Sequence, residues 1–256
     1  MLFTVPEFAP ISLSFIIINW NDQSFHSQSW MNGIASNIKR VKGKIAQAAI
    51  KAERNPDEIK LLAVSKTVEP ERIKEAYDAG LTLFGENRIQ EAQKKKAELP
   101  ATIHWHLVGH LQSNKVKNIF ELFELIHSID SLPLAEEIQK RAMSIGKTIN
   151  VLVQVNTSGE KTKFGVPFAQ AISVAKEIIQ FENLNVMGLM TIPPYSDSPE
   201  NSRIFYKKLK SVKMKLASEN LSLPELSMGM SNDYEVAIEE GATIIRVGTA
   251  IFGSRS

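Results

Sequence analysis

Lys66 stands directly behind Ile59-Lys60-Leu61-Leu62-Ala63-Val64-Ser65, an apolar run that reads as a buried strand. An amine held at a strand end and partly stripped of water has a lowered pKa. Its neutral form attacks carbonyl carbon and forms a Schiff base. A solvated loop lysine is the competing reading, and a cofactor-free aldolase would present the same amine. A second constellation lies far along the chain. Gly229-Met230-Ser231 and Arg246-Val247-Gly248-Thr249 each leave a strand-like segment. Gly248 lets a backbone N–H come close to an anion, and the hydroxyls of Ser231 and Thr249 donate. Asp233 begins a helix whose N–H groups add to them. Either turn alone is an ordinary glycine turn, but the two together predict a phosphate site. Arg246 alternates with Ile245 and Val247, which turns it inward beside that site.

Other candidates carry less. His104 and His106 share a strand face and His110 follows, but no carboxylate accompanies them at ligand spacing. Hydrogen bonding or packing is the reading, and no metal is expected. Glu86 is an acid or base at a strand end, or a rim charge. Tyr195 sits in a proline-rich loop, either over the site or on the surface. Lys94-Lys95-Lys96 falls on a polar helical stretch and reads as a solvated face.

Alternating segments must hold these residues in place. Ile34, Ile38, Val41, Ile45 and Ala48 recur at helical spacing. Strands are read at 59–65, 81–84 (ended by Gly85), 103–108, 125–128, 151–155, 184–190, 225–228 and 242–247. Helices are read at 69–79, 88–98, 114–120 and 131–145. A further helix has Pro167 near its first turn and the face Phe168, Ile172, Ala175 and Ile179. Another has the face Phe205, Leu209, Val212 and Leu216, and a last one covers 233–240. Eight strands separated by helices predict a closed parallel barrel with its site at the C-terminal strand ends. An open doubly wound sheet is the runner-up, but no Gly-x-Gly-x-x-Gly follows the first strand.

The 256 residues suit one barrel domain, and 43% hydrophobic with 23% charged residues is ordinary for a soluble globular chain. A formal net charge of +2 gives no case for nucleic acid or membrane. With no cysteine, disulfides and thiolate chemistry are excluded, and a reducing compartment fits. Ile11 to Ile18 is too short an apolar run to span a bilayer, and no Lys or Arg precedes Lys39. Residues 1–30 are therefore expected to be a disordered extension ahead of a start at Met31, with the domain at 31–256.

The residues also carry a resemblance. Ala63-Val64-Ser65-Lys66-Thr67, Phe84-Gly85-Glu86-Asn87, the run from His106 to Lys115 and Gly188-Leu189-Met190 belong to it. So do the run from Ser227 to Asp233 and the run from Arg246 to Gly253. In this order and spacing they resemble the pyridoxal phosphate homeostasis protein family, from about residue 31 to the end. The resemblance implies a single (β/α)8 TIM-type barrel of the alanine racemase N-terminal type. It implies pyridoxal 5′-phosphate (PLP) as cofactor, covalently bound to Lys66 as a Schiff base. Ser231, Gly248 and Thr249 would hold the phosphate, Arg246 would face the pyridine nitrogen, and Asn87 would lie near the ring. The Gln112–Lys115 motif is taken only as a structural or rim element.

An arginine at the pyridine nitrogen cannot accept a proton from it, so the ring stays a weak electron sink. The resemblance gives a full racemase a second domain that supplies a tyrosine base, and with Ser256 as the last residue given, that domain is not expected here. The expectation is a cytoplasmic, non-catalytic PLP-binding protein that stores and supplies the cofactor, as a monomer or weak dimer. Apo forms of PLP-dependent enzymes are the expected recipients, with no nucleic acid or membrane partner. The alternative is a PLP-dependent amino-acid racemase of low activity.

Overall fold

The computed structural model describes residues 33–253. The expectations for 1–30 and for a start at Met31 fall outside them. The chain opens with α1 (Ile34–Lys51), whose apolar stripe Ile34, Ile38, Val41, Ile45 and Ala48 is buried as its spacing requires. Each large side chain so buried contributes about 1.5–3 kcal/mol. A 3-10 turn at Pro56–Glu58, capped by the Asn55 side chain, leads into β1 (Lys60–Val64).

Strand and helix then alternate: α2 (Pro70–Asp78), β2 (Leu83–Glu86), α3 (Ile89–Glu98), β3 (His104–Leu107), a 3-10 segment Ser113–Asn118, and β4 (Leu125–Ile129). Next come α4 (Leu132–Ser144), β5 (Ile149–Asn156), the two-residue β6 (Val166–Pro167), α5 (Ala171–Ile179), β7 (Leu184–Met190) and α6 (Arg203–Ala217). The chain closes with β8 (Glu225–Met230), α7 (Tyr234–Glu239), β9 (Ile244–Val247) and α8 (Thr249–Phe252).

All the strand pairings are parallel, in the order β4-β3-β2-β1-β9-β8-β7-β5, and β4 pairs with β5 to close the ring. This is an eight-stranded (β/α)8 barrel. The short β6 lies outside it, on the end of β5. Side chains alternate between two faces. Leu62, Val108, Leu125, Leu152, Met190 and Ile244 fill the barrel interior, while a second and larger cluster packs strands against the surrounding helices. Parallel strands bring all their C-terminal ends to one mouth, where α/β barrels carry their sites.

Several local expectations change. Gly85 does not end β2 but lies within it, facing inward. A Cβ there would sit 3.1 Å from Leu62 Cδ2, so glycine makes room where the interior is full. Segment 114–120 is a 3-10 helix over Ser113–Asn118. After β5, Pro167 belongs to β6, and a 3-10 turn at Phe168–Gln170 precedes the helix proper. That turn rotates the helix face. Ala171, Ala175 and Ile178 are buried, while Phe168 is exposed. A local stripe of apolar residues cannot reveal such a phase change.

Candidate functional site

Four adjacent strands bring the expected site residues to the mouth. Lys66 lies in the turn two residues past the end of β1 and is half-buried. Its neighbour is β9, with Ala63 paired to Val247. Gly248 follows β9 so closely against β1 that a Cβ would lie 3.2 Å from the Val64 carbonyl oxygen. Ser231 follows β8 and reaches across to the same turn. Its Oγ accepts the N–H of Gly248 at 3.2 Å and of Ala250 at 3.3 Å. The two loops are thus tied together by one hydroxyl, with the exposed Thr249 between the two N–H groups.

Asn87 is half-buried just past β2, on the other side of β1. Gly109 at the end of β3 backs onto it. A Cβ at 109 would be 2.3 Å from the Asn87 carbonyl oxygen, so only glycine allows these loops to touch. Asn87 also lines a cavity of about 300 Å³ with Arg88, His110, Gln112 and Lys115, which places the Gln112–Lys115 motif at the rim beside it.

Asp233 does not leave the start of α7 open to an anion. Its carboxylate is turned back, accepting the Met230 N–H and the Ser202 hydroxyl, both at 2.7 Å. The backbone N–H groups gathered here are those of Gly248 and Ala250, in the loop after β9.

Arg246 points into the barrel and is almost wholly buried. Its Nη1 donates to Ser227 Oγ at 2.6 Å and its Nη2 to the Thr191 carbonyl at 2.8 Å. Among the described residues no carboxylate lies within ion-pair distance of it. Burial pushes its pKa down to about 10, against the pull of Tyr206 and Asp233, so it remains cationic near neutral pH. The chain of contacts continues. Ser227 Oγ is 2.9 Å from His127 Nδ1, and His127 Nε2 is 2.9 Å from His106 Nδ1. Arg246 can only donate. The polarity that uses each group once therefore runs Arg246 to Ser227 to His127 to His106. Burial holds His106 down to about 3 and His127 well below its usual value, so both are neutral. Ser227, Thr191 and His127 were not read from the sequence. Only His127 had a local signal, the parity it shares with interior Leu125 two residues before it.

The remaining candidates separate. His104 is exposed and pairs with Glu124, whereas His110 pairs with Asp130 and stacks on Phe164. Among the described residues no three His, Cys, Asp or Glu converge as metal ligands. Tyr195 is exposed and donates to Asp197 rather than covering the mouth. Glu86 is neither a mouth acid nor a rim charge. It faces outward from β2, fully buried beneath α3. Lys95 is not solvated either. It is 7% exposed and donates to Glu86 Oε1 at 2.7 Å, because the helix phase turns it under the end of β1 while its neighbours Lys94 and Lys96 stay outside.

Known proteins resemble this chain over nearly its whole length. Residues 33–256 match the family described as alanine racemase, N-terminal domain. The pyridoxal phosphate homeostasis protein of Aquifex aeolicus is 47% identical over 220 residues, covering 85% of this chain and 96% of the relative. A crystal structure of an unknown protein from Bifidobacterium adolescentis superposes with a TM-score of 0.82 at 36% identity, covering 90% and 98% of the two chains. The structure of PipY from Synechococcus elongatus with PLP bound superposes with a TM-score of 0.75 at 36% identity, covering 86% of this chain and all of that one.

Proposed function

The chain belongs to the pyridoxal phosphate homeostasis protein family, and from that premise we propose that it binds PLP at the barrel mouth, covalently through Lys66, to store and supply the cofactor. One observation carries the reading. Arg246 is a buried cation without a carboxylate partner among the described residues, next to a turn of backbone N–H groups gathered by Ser231. A buried charge left unpaired is costly, and it calls for a ligand acceptor. PLP offers a pyridine nitrogen for the guanidinium and a phosphate for Ser231, Gly248 and Thr249. Lys66 would take its aldehyde, and Asn87 would stand beside the ring.

When bound, PLP supplies an electron sink whose strength rises when the ring nitrogen is protonated. Arg246 would donate to that nitrogen and could not protonate it in the way an acid would. Ser227 and Thr191 hold the guanidinium in place, and the neutral histidines behind it add no charge. This arrangement favours holding the cofactor over carbanion chemistry. A non-catalytic role goes with it, as do a PLP-binding domain over 31–256, a cytoplasmic location and delivery to apo-enzymes. Among the described residues no helix is long and apolar enough to cross a membrane.

Borohydride reduction of the purified protein with PLP, followed by peptide mass spectrometry, tests the reading. A single pyridoxyl adduct on Lys66, absent from Lys66→Ala, is expected. Adducts scattered over surface lysines, or unchanged in Lys66→Ala, would sink it. Incubation with single amino-acid enantiomers tests the non-catalytic part. Racemisation that depends on Lys66 would make the protein an enzyme.

A further inference from the structure

The turn that carries Lys66 is gripped from behind by α3, on both sides of the lysine. Thr67 has φ 59°, a left-handed conformation that a β-branched residue rarely adopts and holds only when its surroundings impose it. Its N–H donates to Glu91 Oε2 at 3.0 Å. On the other side, the Ser65 carbonyl accepts the Lys95 ammonium at 2.7 Å. Lys95 is bound in turn to Glu86 Oε1 at 2.7 Å and lies 3.7 Å from Glu91 Oε2. The Ser65 hydroxyl donates to the same Glu86 oxygen at 2.7 Å. Ser65, Glu86 and Lys95 are all buried. Glu91 and Lys95 stand one turn apart on one helix face, so a single helix supplies both grips.

We propose that Glu91 and Lys95, braced by Glu86, are positioning residues that fix the backbone of Lys66 for reaction with the PLP aldehyde. The inference rests on the proposed cofactor role of Lys66 and extends it to residues that never touch the cofactor. Glu86 Oε1 takes both the Lys95 ammonium and the Ser65 hydroxyl, so one buried carboxylate braces the Lys95 grip and the residue before Lys66 together. Holding a strained turn at the reacting amine gives such a cluster a reason to exist. The clamp also lies outside the barrel wall, so it acts on Lys66 without occupying the mouth.

Loading joins the Lys66 nitrogen to the aldehyde carbon as a double bond and releases the aldehyde oxygen as water. Borohydride then adds hydride to that carbon, while the nitrogen takes a proton from solvent. The test compares full-length wild type, Glu91→Ala and Glu91→Gln by two measurements. One is hydrogen exchange of the peptide spanning residues 65–68, without PLP. The other is the rate of borohydride-fixed adduct formation on Lys66. A hydrogen bond to a charged group sets the scale at about tenfold or more. Glu91→Ala is expected to speed exchange and to slow fixation by about tenfold. Glu91→Gln, whose amide oxygen still accepts the Thr67 N–H, is expected to recover most of both. Unchanged exchange in Glu91→Ala would show that there is no grip. Faster exchange with wild-type fixation would show that the grip does not position the lysine. A wild-type protein that takes no adduct on Lys66 would refute the cofactor reading itself, and the wild-type sample alone reveals that.

Discussion

Lowering the pH loads protons onto a barrel interior built to exclude them. His106 and His127 are buried side by side, and in the unfolded chain each protonates near 6.5. In the fold, burial first and then Lys60 and His104 hold His106 at about 3. His127 is held well below 6.5, by burial and then by His106 and Arg246. Between pH 6.5 and about 3 the unfolded chain therefore binds more protons than the native one. The histidine contribution is fully present above pH 6.5 and is lost as the pH falls through this window. His106 alone costs about 1.4 kcal/mol per pH unit, or about 3 kcal/mol by pH 4. That is a large share of a typical stability of about 5–15 kcal/mol. Glu86 works in the opposite direction, since burial raises its pKa and the native state binds its proton more readily. The comparison must therefore be with a variant. Urea unfolding from pH 7.5 to 4.5, followed by the fluorescence of buried Trp105, measures it. The His106→Asn protein should lose stability more slowly on acidification, by up to about 1.4 kcal/mol per pH unit below pH 6. Parallel profiles for the two proteins would refute the claim that His106 is held neutral.

Three substitutions probe the mouth. Ser231→Ala removes the hydroxyl that links the loops after β8 and β9, and PLP affinity should fall by about tenfold while affinity for pyridoxal, which lacks the phosphate, is unchanged. Equal losses for both ligands in a binding titration would move Ser231 away from the phosphate. Gly109→Ala drives a Cβ to 2.3 Å from the Asn87 carbonyl oxygen, and thermal melting should show a loss of about 1–3 kcal/mol. An unaltered melting temperature would mean that these loops are not held in contact. Arg246→Gln deletes a buried charge that has no ion-pair partner among the described residues, so the ligand-free protein should keep its melting temperature while PLP affinity drops by about tenfold or more. A collapse of the ligand-free fold would make Arg246 a structural residue instead.

Period and punctuation in the chain determined much of the architecture. The 3- and 4-residue spacing of Ile34, Ile38, Val41 and Ile45 places α1 on the core, and eight apolar runs separated by helices define a barrel. Position behind an apolar strand singled out Lys66, and alternation along β9 turned Arg246 inward. These are properties of neighbouring residues, so they survive in one dimension. Other features depend on which strands meet. The rotation of α5 by a 3-10 turn, the inward Gly85 and the buried Lys95 beneath β1 are fixed by packing phase, which no local stripe encodes. The run from Arg246 to His106 joins residues up to 140 positions apart, and it exists only because β9, β8, β4 and β3 face one another across a closed ring. Sequence thus singled out Lys66 as a candidate amine and predicted the barrel that carries it. Ring closure decided that Arg246 is buried with, among the described residues, no carboxylate at ion-pair distance. The packing of α3 decided that Glu91 and Lys95 bond the turn on which Lys66 sits.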